Sequence, residues 1–305
     1  MKTQQSAGSV IVAALAWLVS IAPAAWAVCP PAGWTRESLS TLKASKFAIE
    51  DERRAPLAVE FLDCLADPDP VLRDAVAFEA LSAWLRAEKL PPATLRTMLA
   101  TLLARLDGPD DSAGFSRPFA ALALSEVARA DRVRPFLSDD ERRTLIDAAV
   151  RYLPSVRDYR GFEPDMGWRH GVAHGADLLL QLAVNPRTGA ADHRRMLDAI
   201  GAQIAPASGH AYVFGESERL ARPVLFIARR GTIDSGEWSR WLKSVTNDGH
   251  ATGWEAVLGT PSGLARRHNV GAFTLSLYAN LREGSDEVGR AALLPAVTEA
   301  LRALP

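Results

Sequence analysis

Apolar positions recur at helical spacing along most of the chain, and the alternation expected of strands is nearly absent. Asp69-Pro70 reads as an N-cap followed by proline at the first helical position. After it, Val71, Ala75, Phe78, Leu81 and Leu85 fall on one helical face, and Pro91-Pro92 marks the stop. Ser138 and Glu141 form a capping-box pattern ahead of Leu145, Ile146, Ala149, Val150 and Leu153. The spacing predicts further helices over 117–130, 191–204 and 264–281. The connections are short and carry Pro, Gly or Asp. Many amphipathic helices of ordinary length joined by short loops predict an all-α fold of stacked helical hairpins.

One stretch is more specific. Asp67-Pro68-Asp69-Pro70-Val71-Leu72-Arg73-Asp74-Ala75 is similar to the turn and second helix of a HEAT-type repeat. That resemblance implies a HEAT/armadillo-like solenoid. An α/α toroid, in which the hairpins close into a ring, is the competing layout. The loop 106–114 is the best candidate for a boundary, but composition does not break there, and residues 28–305 read as a single domain.

The N-terminus has a different pattern. Lys2 is followed by an apolar run from Val10 to about Ile21, then Pro23-Ala24-Ala25-Trp26-Ala27 with small residues in the order a cleavage site needs. Residues 1–27 therefore read as a secretory signal peptide, and the mature chain is expected in the periplasm or outside the cell. The run is short for a membrane span, and no later segment predicts one. Loss of Lys2 takes the basic count from 35 to 34, against 36 acidic residues. That near-neutral balance argues against a nucleic-acid partner, which calls for a basic excess. The only cysteines are Cys29 and Cys64. In an exported chain an even count invites a disulfide; two separate thiols are the alternative.

The most informative segment runs from Tyr159 to Leu182. Asp165 is placed to cap a helix that starts beside it. At about 100° per residue, His170, His174, Asp177 and Gln181 then share an arc of roughly 60°. Gly167, Gly171 and Gly175 form the next stripe, and most of the rest is apolar. A helix apolar on nearly all other sides is buried. Its glycines each cost about 1 kcal/mol relative to alanine, so they mark close approach of another helix or of a ligand. Three readings of the arc stay open: a structural His-Asp network, a divalent metal such as zinc held by His170, His174 and Asp177, and metal-free acid–base chemistry.

A second polar cluster, Gly215 to Arg222, brings Glu216, Glu218 and Arg219 as candidate neighbours. Glu218 pairs with Arg222 at helical spacing or faces the histidines as a proton carrier. Pro223 either kinks this helix or marks its first turn. Arg160 is placed to hold Asp177 or a bound anion, and Trp168 to line a ligand site. His193, His210, His250 and His268 read as surface or loop residues. No nucleophile elbow, phosphate-binding glycine loop or paired-cysteine metal motif is present.

Asp158, Arg160-Gly161-Phe162, Gly167-Trp168, His170, Ala173-His174 and Ala176-Asp177-Leu178-Leu179 together resemble the hallmark of the bacterial domain of unknown function 2785 family. Leu72-Arg73-Asp74, Arg117, Phe119, Gly215-Glu216, Glu218-Arg219-Leu220-Ala221 and Asn269 extend that resemblance over most of the mature chain. It implies an all-α fold and brings no established activity. Gly171-Val172-Ala173-His174-Gly175 also looks like the Ala-His-Gly helix of lanthionine-synthetase cyclases, which are α/α toroids that hold zinc with cysteines as well as histidine. Cys29 and Cys64 lie outside that pattern. Function is therefore open between two classes: a scaffold that binds a protein or small-molecule ligand, and a metal-assisted hydrolase using the same His/His/Asp centre.

Overall fold

The computed structural model describes residues 29–246 and 254–305. The signal-peptide reading of residues 1–27 and the placement of His250 lie outside the described residues.

The chain folds as helices with almost no strand. In order they are α1 (Arg36–Ala44), α2 (Asp51–Cys64), a π-wound stretch (Val71–Phe78) that runs directly into α3 (Glu79–Arg86), α4 (Pro92–Leu106), α5 (Ser116–Val133) and α6 (Asp139–Ser155). A two-stranded hairpin follows, β1 (Phe162–Glu163) and β2 (Gly167–Trp168). Then come α7 (Gly171–Ala183), α8 (Ala190–Ile204), α9 (Glu216–Arg230), α10 (Ser235–Thr246), α11 (Trp254–Val257), α12 (Pro261–Glu283) and α13 (Glu287–Ala303). Among the described residues no helix is long and apolar enough to cross a membrane.

Local signals act where they stand in the sequence. Ser138 accepts from the Glu141 N–H while the Glu141 carboxylate accepts from the Ser138 N–H, completing the capping box of α6. Asp69 accepts from the Val71 N–H at 2.8 Å, capping the turn that opens the π-wound stretch. Pro223 falls in the middle of α9. The loop 106–114 is a tight connection rather than a linker: Asp111 accepts from the N–H groups of Phe115 and Ser116 and so caps α5. Cys29 and Cys64 form a disulfide that ties the start of the described chain to the end of α2.

Helix α7 lies at the centre. It packs most extensively against α5 on one side and α9 on the other, with α6 behind it, and α9 in turn packs on α12. Its apolar faces explain this. Val172, Ala173, Ala176, Leu178, Leu179 and Leu182 are all at most 2% exposed. The α5–α6 corner is held by an ionic centre that periodicity did not reveal. Buried Asp131 accepts from the N–H groups of Phe136 and Leu137, from Arg142 and from Asn185. Nearly every lone pair of that carboxylate is matched, as burial of a charge demands.

Candidate functional site

The segment before α7 departs from expectation. The helix begins at Gly171, not beside Asp165. Residues 161–169 form the hairpin instead, with Phe162 opposite Trp168 and Glu163 opposite Gly167. The pairing continues outward: Arg169 N–H donates to Gly161 O and His170 N–H to Arg160 O. Gly167 has φ +73°, a conformation that glycine adopts without strain, so it closes the hairpin rather than joining a helical stripe. His170 is then the N-cap of α7, in the left-handed region at φ 53°. A non-glycine residue there costs about 1 kcal/mol.

Two buried arginines pin the hairpin. Arg73, fully buried in the π-wound stretch, donates to Met166 O at 2.7 Å and to Asp67 O and Pro68 O. Arg169 donates to Ala113 O and pairs with Glu163. Both guanidinium groups stand within cation–π range of the Phe115 ring, at 3.7 Å and 4.6 Å.

The remaining glycines answer the question of close approach. A Cβ on Gly171 would meet the Tyr152 hydroxyl and Val156, and one on Gly175 would meet Leu153 and Tyr152 at 3.0–3.1 Å. Both face α6, so they serve helix packing. The Tyr152 hydroxyl donates to Gly171 O at 3.3 Å.

The polar arc survives in altered form. His174, Asp177 and Gln181 remain on one side of α7, and His170 reaches them from the cap, its ring 6.1 Å from that of His174. The His170 Nε2–H donates to Phe214 O at 3.0 Å, and the His174 Nδ1–H donates to Pro118 O at 3.2 Å. A carbonyl only accepts, which fixes the protonated nitrogen of each neutral ring. Burial pushes the pKa of His170 down, with Glu216 opposing. Burial, assisted by His170 and Arg219, lowers that of His174 to about 3. Both rings are therefore neutral at pH 7.

Asp177 is clamped by Arg219 of α9, whose Nε donates at 3.0 Å and whose Nη2 closes a bidentate pair. Burial raises the pKa of this carboxyl and the Arg219 contact opposes the rise. Gln181 accepts a long 3.4 Å contact from Arg132 of α5. Buried Glu216 accepts from the Phe214 N–H at 2.9 Å and lies 3.9 Å from His170 Nε2.

Some predicted members stand elsewhere. Glu218 is exposed, and it makes no ion pair with Arg222 among the described residues. Arg160 pairs with Asp158 through Nε and Nη2, not with Asp177. His193 is fully buried, bonded to Thr232 and to Ala183 O. It is a core residue, not a surface one. His210 is half-buried and stacks on Tyr159 at 5.0 Å.

The donor set does not suit a cation. Asp177 turns to Arg219, His170 directs Nε2 at a carbonyl, and the Arg219 and Arg73 guanidinium groups add positive potential at His174. Among the described residues no three His, Cys, Asp or Glu side chains form a group able to hold a metal ion.

An aromatic rim covers the centre. Trp168 lies on the His170 ring with centroids 4.3 Å apart. It also meets Phe162 at 5.1 Å and Phe214 edge-on at 5.7 Å. Phe162, Trp168 and Phe214 are 44%, 40% and 37% exposed, and neighbouring Val213 is 68% exposed. Trp168 is the one member of this rim that the sequence singled out as a candidate. The packing of Phe162 and Phe214 around it was not legible, because it needs the hairpin and the loop before α9 to meet. Gly161 is the local signal for that meeting, since a Cβ there would sit 2.0 Å from the Phe214 ring.

These features belong to a chain whose residues 102–279 match the family model described as Protein of unknown function (DUF2785). That span is more than half of the chain, and the protein is a member of this family. No curated protein matches the chain. No solved structure matches it either.

Proposed function

We propose that this protein is an exported helical scaffold that binds a ligand at the aromatic face over His170. One observation carries the reading. Phe162, Trp168 and Phe214 stand side by side in solvent on the hairpin and the loop before α9. Trp168 among them lies on His170, whose backbone is strained. Exposed adjoining aromatic rings are unfavourable in water and favourable against a flat or apolar partner, and strain of this kind concentrates at functional positions. The ligand expected is one with a flat face for Trp168 and polar groups for its edges.

Successive hairpins support a HEAT-like stack: α5, α7 and α9 lie in a row, with α4 against α5, α6 against α7 and α8 against α9. Helical stacks of that kind present continuous binding surfaces. Export is supported by the pattern of residues 1–27 and by the disulfide, which persists in oxidising compartments.

The test is a thermal-shift screen with oligosaccharides and short aromatic peptides, run on the wild type and on Trp168→Ala. Compounds that stabilise the wild type and leave Trp168→Ala unmoved support the site. Hits that stabilise both alike, or none in either panel, count against it. Mass spectrometry of the mature chain from a periplasmic fraction, with its N-terminus near Val28, checks export.

A further inference from the structure

A separate cavity lies far along α5 from the aromatic face, between the ends of α3 and α5 and the start of α4. It has a volume of about 290 Å³. Its walls are Leu85, Leu90, Pro92, Leu95, Ala130 and Phe136, an apolar surface suited to a small ligand. One wall is fixed: Arg96 donates to Phe136 O and to Glu141, holding the α5–α6 connection against α4.

The mouth carries the chemistry. Arg134, at the C-cap of α5, is 73% exposed and makes no side-chain hydrogen bond among the described residues. Its nearest acid is Glu88, at 3.7 Å, beyond hydrogen-bond length. Glu88 occupies the left-handed position after α3, at φ 55°, where the Lys89 N–H returns to Trp84 O. Glycine is the usual residue at that place. Here a carboxylate stands instead, in a long ion pair with an arginine that makes no side-chain hydrogen bond among the described residues. With Arg96 and Arg134 against Glu88, the lining carries two positive charges and one negative.

We propose that this cavity binds a medium-length alkyl carboxylate, its chain against the leucines and Phe136 and its carboxylate on Arg134. The volume holds roughly ten water-sized groups, which matches octanoate in heavy atoms. A carboxylate suits the planar fork of arginine, which presents paired donors. The cavity shares no lining residue with the aromatic face.

Isothermal titration calorimetry of the full chain with sodium octanoate, and with 1-octanol as the uncharged probe, tests it. Saturable octanoate binding is expected, with octanol weaker. Arg134→Gln, a substitution at an exposed position, should weaken octanoate about tenfold, the loss of one charge-assisted hydrogen bond. It should leave octanol unchanged. Glu88→Gln, which releases Arg134, should tighten octanoate. Ala130→Phe should fill the cavity and remove both. Absence of saturable octanoate binding at millimolar concentration overturns the proposal. So does equal binding of octanoate and octanol, or octanoate binding indifferent to Arg134→Gln.

Discussion

His174 shows how far burial decides the state of a single side chain. Its ring donates to Pro118 O and packs edge-on against Phe119 at 5.3 Å. Its pKa is lowered to about 3, chiefly by burial. In the unfolded chain the same ring takes a proton near pH 6.5. The stability this residue permits is therefore complete above pH 6.5 and declines as pH falls toward 3. By pH 5 the loss attributable to His174 should be about 2 kcal/mol. Urea unfolding at pH 7.5 and pH 5 on wild type and His174→Gln reads it: the variant should show a shallower fall, and an identical pH dependence would refute the assignment. Arg73 is the opposite case, a charge kept in the core. It serves three carbonyl groups and stacks on Phe115. Arg73→Leu should destabilise by about 3–5 kcal/mol, because those acceptors lose their donor. Arg73→Lys should recover only a small part, since a point charge cannot reproduce the planar fork. Denaturant midpoints of the two variants check this.

At the scale of elements, the hairpin between α6 and α7 separates what periodicity reads from what it misses. Helices α5, α6, α8 and α12 were legible to within a few residues, because each carries an apolar face at helical spacing and conventional end signals. Residues 165–170 carried the same spacing, yet they form a turn, a strand and a left-handed cap. The competing forces were non-local: Arg73 donates to Met166 O in the hairpin turn, Arg169 of the hairpin donates outward to Ala113 O, and Phe214 packs on Gly161 from the side. A window of neighbouring residues contains none of those partners. Gly161→Ala isolates this device. The added Cβ should displace the Phe214 ring and disturb its edge-on contact with Trp168, changing the near-ultraviolet circular dichroism. Phe214 is a partly exposed ring that can swing aside, so stability read by urea unfolding should fall by less than about 1 kcal/mol. An unaltered aromatic spectrum would show that Phe214 is not held as described.

For the whole molecule, the Cys29–Cys64 disulfide closes a loop with a sequence separation of 35. On the chain-entropy model, that closure contributes about 4 kcal/mol by restricting the unfolded chain. Cys29→Ser should lose most of it, and reduction of the wild type should lose the same amount, as denaturant curves with and without reductant would show. A reductant-insensitive wild type would contradict the bridge. The apolar periodicity determined by itself that the chain is all-α, because side-chain spacing along one helix is a local property. The run of Gly, His and Asp likewise marked α7 as buried with one polar side, since three glycines and a single polar arc need no partner to be noticed. Only the tertiary structure decided what those residues face. It turned the glycines to α6, gave Asp177 to Arg219, drew His170 out of the helix to cap it, and set three aromatic rings above it. The glycine, Asp177 and His170 contacts join groups 19 to 44 residues apart in the sequence, and no local pattern carries that information.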